Sequence, residues 1–248
     1  MFKRKEQNIT TTAPINLTTI NEPMSVITEQ IKTIRTNINF AATDHKLRTL
    51  MVTSAMLGEG KSTVSGNLAV EYAKEGMQVL LVDADLRRPT IHKTFGLKNH
   101  KGLSSWLANQ MDDVNDAIHP VIGNLFVMTS GPKPPNPAEL LGSNKMTEFL
   151  TSATRKLDLV IVDAPPILPV TDSQLLANKV DGTVLVVRQG VAQKAAVRDA
   201  VNSLKKSQAN ILGTVLNDVR DSSHHGYYGY NSGYGYNSGY GYYSDEDK

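Results

Sequence analysis

Three short stretches carry residue types at spacings that suit phosphoryl chemistry. The first is SAMLGEGKST, residues 54–63, between an apolar run and a helix-like stretch. Glycines let the backbone wrap closely, so successive N–H groups can point at phosphate oxygens at a helix N-terminus. Gly58, Glu59, Gly60, Lys61, Ser62 and Thr63 are the expected nucleotide contacts. Lys61 would neutralise the β- and γ-phosphates, and the Ser62 hydroxyl would complete a Mg²⁺ shell, which makes ATP and Mg²⁺ the expected cofactors. A strict phosphate-loop pattern has glycine six positions before the lysine, where Ala55 stands. A plain glycine turn is the structural alternative.

The second stretch, VLLVDADLRRP, sets Asp83 and Asp85 at the carboxyl end of an aliphatic run. Residues two apart on a strand face the same side, so both carboxylates can meet one metal–phosphate assembly. In the third, LVIVDAPP, Asp163 follows four aliphatics. That is where a carboxylate holding the Mg²⁺ shell, directly or through water, is expected. Capping a neighbouring helix is the competing role for these carboxylates.

A possible acceptor is at the other end of the chain. Eight of the nine tyrosines fall in the last 22 residues: Tyr227, Tyr228, Tyr230, Tyr234, Tyr236, Tyr240, Tyr242 and Tyr243. Spaced by Gly, Ser and Asn, with no aliphatic residue from 224 onward, they cannot build a core. The composition suits a tail that displays phosphorylatable hydroxyls, and equally a sticky low-complexity segment. His224 and His225 read as solvated tail residues.

The elements that must position these groups alternate along the chain. Strand-like runs cover 47–54, 77–85, 124–131, 157–165, 182–190 and 210–218, and helix-like stretches cover 61–75, 143–156, 171–179 and 193–207. Four strands contain unbroken aliphatic quartets, which suits burial on both faces of a parallel sheet. The expected fold is α/β: a doubly wound, mostly parallel sheet flanked by helices, P-loop NTPase-like, with ligands at the carboxyl ends of strands. The expected domains are a loose arm at 1–23, a P-loop domain at 24–220 and a disordered tyrosine-cluster tail at 221–248. A helix at 24–40 opens the domain, and GPKPPNPAELLG (131–142) is a proline-punctuated turn entering a short helix.

Composition narrows the function. The chain has 248 residues and is 40% hydrophobic, enough for one substantial core. Its longest apolar runs are four residues, too short to cross a bilayer, and no apolar signal region follows Lys3, Arg4 and Lys5. Zero cysteines rule out disulfides and thiolate metal sites and fit a reducing compartment. A net charge of +2, without a basic stripe interleaved with aromatics, argues against nucleic acid. A cytoplasmic protein, recruited to the membrane through a partner, is expected.

Taken together, the phosphate loop, LLVDADLR and LVIVDAPP resemble the bacterial tyrosine kinases (BY-kinases) of capsule and exopolysaccharide assembly, over roughly residues 20–220. The resemblance implies that Lys61 and Ser62 bind ATP–Mg²⁺. It implies that Asp83 is the base toward the tyrosine hydroxyl, that Asp85 and Asp163 hold the metal shell, and that the tail cluster is the autophosphorylation segment. A tyrosine hydroxyl, with a pKa of about 10, needs such help at neutral pH. Leu57 stands where the family usually has proline. The family also carries a charged helix that packs against a neighbouring subunit in a ring, here Glu29, Lys32 and Arg35, with Lys32 in place of a common arginine. A solvated helix face is the plainer reading of that triplet. Relatives of this type work with a membrane-bound adaptor of the polysaccharide co-polymerase kind, and protein substrates in sugar-nucleotide or glycosyltransferase pathways are implied.

Smaller signals complete the reading. Arg87 and Arg88 are candidates for phosphate or a partner's acidic group, or plain surface charges, and Trp106 is expected to pack in the core or an interface. As a coil, the tail has a reach of about 30 Å, which leads to the expectation of transfer in trans within the ring. Full modification would bring its charge to about −12 or beyond, enough to repel neighbours. Two other functions compete. One is a partitioning or division-site positioning ATPase, which usually carries a second lysine early in the loop; SAMLGEG has none. The other is a nucleotide-binding regulator with an adhesive tail.

Overall fold

Runs of branched aliphatics make strands, and the pattern of their burial tells which faces are covered. In the computed structural model, which describes residues 14–42 and 46–219, seven strands form one sheet among the described residues. They are β1 (Thr49–Ser54), β2 (Val79–Asp83), β3 (Ile118–Ile122), β4 (Leu125–Met128), β5 (Leu159–Asp163), β6 (Gly182–Arg188) and β7 (Ile211–Asn217). Their order is β3-β4-β2-β5-β1-β6-β7. Every pairing is parallel except β3 with β4. Strands β1, β2 and β5 are buried at every position, as their uninterrupted aliphatic sequences require.

The described helices are α1 (Thr18–Asn21), α2 (Val26–Ala41), α3 (Lys61–Lys74), α4 (Ile91–Thr94), α5 (Leu103–Leu107), α6 (Pro137–Gly142), α7 (Asn144–Lys156), α8 (Asp172–Ala177) and α9 (Lys194–Lys206). Alternate strand residues feed two cores. Leu50, Val52, Val79 and Leu81 meet Ile31 and Ile38 of α2 and Leu68 and Tyr72 of α3 on one face. Met51, Leu80 and Val82 meet Phe149 and Leu150 of α7, Leu176 of α8 and Leu204 of α9 on the other. Period-two alternation against a layer on each side is what makes the fold doubly wound. Trp106 packs beside the second core, with Lys145 Nζ 4.1 Å from its ring centroid.

Two features depart from the expectations. Strand β3 (IHPVI) was not anticipated; a histidine and a proline hide it, and proline is tolerated because this is an edge strand. The arm expected at 1–23 is also shorter than supposed, because residues 15–21 belong to the folded body. Leu17, Thr18 and Thr19 are buried. Asn67 of α3 anchors them: its Oδ1 accepts from Thr19 N and Oγ1 (both 3.0 Å), and its Nδ2 donates to the Asn16 carbonyl (2.9 Å). The polar sequence concealed this anchor because its hydrogen bonds leave no periodic signal, and Ile15, Leu17 and Ile20, which pack on the core, are too few to set one. Residues 1–13, the eight tail tyrosines, His224 and His225 lie outside the described residues.

Replacing Asn67 with alanine leaves a buried backbone donor unpaired. The expected loss of unfolding free energy is about 2–3 kcal/mol, read from urea denaturation; an unchanged midpoint would contradict the anchoring role.

Candidate active site

The site is assembled by strand register. Parallel pairing sets Asp83 of β2 directly beside Asp163 of β5, and Asp163 beside Val52 of β1. From β1 the chain runs into the glycine loop 55–60 and on to Lys61, the first residue of α3. Three adjacent strand ends thus deliver the loop and two carboxylates to one place, the carboxyl edge of the sheet.

Within the loop, Gly58 (φ +78°) and Gly60 (φ +94°) adopt left-handed conformations that a side chain would strain. Glu59, expected among the nucleotide contacts, has its side chain turned inward: Oε2 accepts from Ala55 N at 3.0 Å and the residue is buried. Its carboxyl is pushed up by burial, against the opposing pull of the Met56 and Ala55 amides. The glutamate side chain therefore holds the loop's shape, and its backbone is the part left to meet a ligand.

Lys61 Nζ lies 3.0 Å from Asp85 Oδ2, 3.7 Å from Asp163 Oδ1 and 3.3 Å from the Ser62 hydroxyl. Burial alone would lower the lysine; the charges of Asp163, Asp85 and Asp83 outweigh it, and the ammonium is raised above its usual range. Asp83 is fully buried. Its Oδ1 accepts from Asp85 N (3.2 Å), and its Oδ2 accepts from Thr90 N (3.2 Å) and Ile91 N (3.1 Å). The competing helix-cap role is therefore filled by the same side chain that stands in the cluster. Burial first, then the charges of Asp163 and Asp85 against that of Lys61, push Asp83 up to about 8. Asp163 is raised as well, by burial foremost and by Asp85, with Lys61 opposing.

Burial is the leading cause, and crowding adds to it: three buried acidic side chains share one ammonium. Both Asp163 oxygens are buried without a hydrogen-bond partner. Unpaired carboxylate oxygens beside a hydroxyl fit a divalent cation. Among the described residues no three acidic or histidine side chains converge as a metal cage. That suits an ion completed by phosphates and water. The doublet's segment is held by Arg87, whose Nε and Nη2 donate to the buried Asp172 of α8 at 2.9 and 3.0 Å. Arg87 thus has a partner inside its own fold, and only the backbone N–H of Arg88 is drawn into the cluster, donating to Asp85 Oδ1 at 3.0 Å.

Comparison with known proteins decides the family. The chain is 46% identical over 218 residues to tyrosine-protein kinase YwqD of Bacillus subtilis (strain 168), covering 86% of this chain and 91% of that one. The chain belongs to the bacterial tyrosine kinases. A putative tyrosine-protein kinase CapB of Staphylococcus aureus is 37% identical over 212 residues, covering 84% and 93% of the two chains. The kinase domain of the Escherichia coli tyrosine kinase ETK superposes with a TM-score of 0.81 at 36% identity, over 88% of this chain and 86% of that one. A family model described as ParA, NUBPL iron-transfer P-loop NTPase, matches residues 46–226, so this kinase is built on a ParA-type P-loop NTPase fold. The cell division ATPase MinD of Pyrococcus furiosus shares that fold at a TM-score of 0.58 and 28% identity, over 68% of this chain and 71% of that one.

Residues at the ends of β6 and β7 escaped the sequence reading. Arg188 and Asn217 reach the glycine loop, and their signal was their place at the carboxyl ends of the two successive strands on one side of β1.

The Asp83 shift predicts a pH dependence of stability. The folded group titrates at about 8 and the unfolded one at 3.8, so the native state holds the extra proton between them. The contribution is full below the unfolded value and is lost as pH rises through the folded one. Across that window, without metal, the wild-type melting temperature should fall more steeply than that of Asp83→Asn. Parallel curves would contradict a raised Asp83.

Proposed function

We propose that this chain is an ATP-dependent protein-tyrosine autokinase whose acceptors are the tyrosines at 227, 228, 230, 234, 236, 240, 242 and 243. The observation that carries the reading is Lys61 held between Asp85 and Asp163 beside the buried Asp83, at the mouth of the glycine loop. In this reading Gly58 to Thr63 cradle the phosphates of ATP, with Lys61 on the β- and γ-phosphates. Ser62, Asp85 and Asp163 hold Mg²⁺, which supplies charge neutralisation at the transferring group. Asp83 accepts the proton of the tyrosine hydroxyl as the phenolic oxygen bonds to the γ-phosphorus. The bond from that phosphorus to the bridging oxygen breaks, and ADP leaves.

The biological setting we infer is control of capsular or extracellular polysaccharide synthesis and export. It would act with a membrane-bound adaptor, and on protein substrates in sugar-nucleotide or glycosyltransferase pathways. Membership of the bacterial tyrosine kinases supports this setting. No described helix is long and apolar enough to cross a membrane, so membrane recruitment in this reading requires the partner.

Assembly into a ring is supported by α2. Glu29 pairs with Lys32 at 2.8 Å and Arg35 with Glu75 at 2.7 Å within one chain. Met24, Val26, Ile27 and Phe40 remain exposed, and such apolar surface suits a neighbouring subunit. Changing Ile27 to aspartate should lower the mass of the assembly in light scattering while leaving the melting temperature unchanged.

The decisive test is incubation with Mg²⁺ and γ-labelled ATP, alone and with an adaptor fragment. Wild type should label its tail; Lys61→Met should lose about two to three orders of magnitude of rate; a chain ending at Arg220 should take no label. ATP hydrolysis with no protein label under either condition would favour the positioning ATPase.

A further inference from the structure

The glycine loop is held from outside by the two strands on its far side. Arg188, the last residue of β6, donates Nη1–H to the Gly58 carbonyl at 3.1 Å. The same guanidinium gives Nε and Nη2 to Asp218 Oδ2, at 3.0 and 2.9 Å. Asn217, the last residue of β7, donates Nδ2–H to the Glu59 carbonyl at 3.0 Å. Its amide occupies the space that a side chain on Gly60 would need. Asp218 itself sits at φ +55°, in the left-handed region, with its carboxylate engaged by Arg188. A non-glycine residue persists there when its surroundings hold it.

The consequence follows from peptide geometry. In a trans peptide the C=O of one residue and the N–H of the next point in opposite directions within one plane. Fixing the Gly58 carbonyl on Arg188 therefore aims the Glu59 N–H away from the β6–β7 edge. Fixing the Glu59 carbonyl on Asn217 does the same for the Gly60 N–H, which makes no hydrogen bond among the described residues. Both glycines lie at positive φ, where a loop has many alternatives and little of its own to select one.

We propose that Arg188 and Asn217 are positioning residues for the nucleotide, a two-point brace that orients consecutive loop N–H groups toward its phosphates, with Asp218 holding Arg188 in place. This rests on the reading of residues 58–63 as a phosphate cradle. Arginine suits the task because its planar fork reaches two acceptors at once, whereas a lysine ammonium cannot reproduce that geometry.

The test is direct binding of Mg·ADP to the full chain, by calorimetry, beside thermal melting without nucleotide. Arg188→Ala should weaken binding about tenfold, as loss of a charged hydrogen bond does, with the nucleotide-free melting temperature unchanged. Asp218→Ala should weaken it severalfold, and Arg188→Lys should fall between wild type and alanine. The double variant, Arg188→Ala with Asp218→Ala, should be no weaker than Arg188→Ala alone, because both act through one contact. Wild-type affinity in Arg188→Ala, or additive losses in the double variant, would overturn the brace. If Arg188→Ala does not fold, Arg188→Lys and Asp218→Ala decide: unchanged affinity in both overturns it. Failure of the wild type itself to bind would overturn the phosphate-cradle reading on which the brace depends.

Discussion

Three carboxylates buried around a single ammonium are the constraint on which the rest of this fold depends. Removing a charge from water is costly unless a partner and hydrogen bonds compensate it. Here Lys61 compensates only in part: it lies 3.0 Å from Asp85 but 3.7 Å from Asp163, whose two oxygens are both buried. Such a cluster persists only if its surroundings hold it. The register of β2 on β5 does so, since slipping either strand by one residue would turn its aspartate to the opposite face. The aliphatic quartets that fix this register stabilise the sheet and also hold the carboxylates together against their repulsion.

The same constraint explains why the site lies where the strand order brings the middle of the sheet together. With β5 between β2 and β1, the loop after β1 and the doublet after β2 flank Asp163 from both sides. β7 closes one edge, four strands from β2. At about 4.8 Å per strand, the end of β7 is about 19 Å from Asp83.

Much of this arrangement was legible in the sequence, and the omissions share a cause. Each of the six anticipated strand runs contains an observed strand, trimmed by no more than three residues at either end, because aliphatic clustering reports burial locally. Lys61, Asp83, Asp85 and Asp163 were legible because their positions after apolar runs fix where strands end. What escaped detection is made by contacts distant in sequence or by residues with no periodicity. Asn67 binds Thr19 across 48 positions, and Arg188 meets Gly58 across 130. The direction of the Glu59 side chain was not legible either, because it is set by the Ala55 amide that its carboxylate accepts from. Arg87 was similarly open from sequence alone until its partner, Asp172, 85 positions away, was known.

The helix that bears the exposed apolar residues is not independent of the site. Arg35 of α2 donates to the Glu71 carbonyl and pairs with Glu75, and Tyr72 donates its hydroxyl proton to Asn39 Oδ1 at 2.9 Å. These contacts lie on the last turns of α3 and the residue beyond it; Lys61 opens the same helix. The continuous backbone hydrogen bonds of α3 make its 14 residues one element joining the two ends. A subunit seated on Val26 and Ile27 therefore bears on the element that carries the phosphate-binding lysine. One helix thus joins the exposed apolar face of α2 to the glycine loop: α2 is tied to its carboxyl end, and Lys61 stands at its amino end.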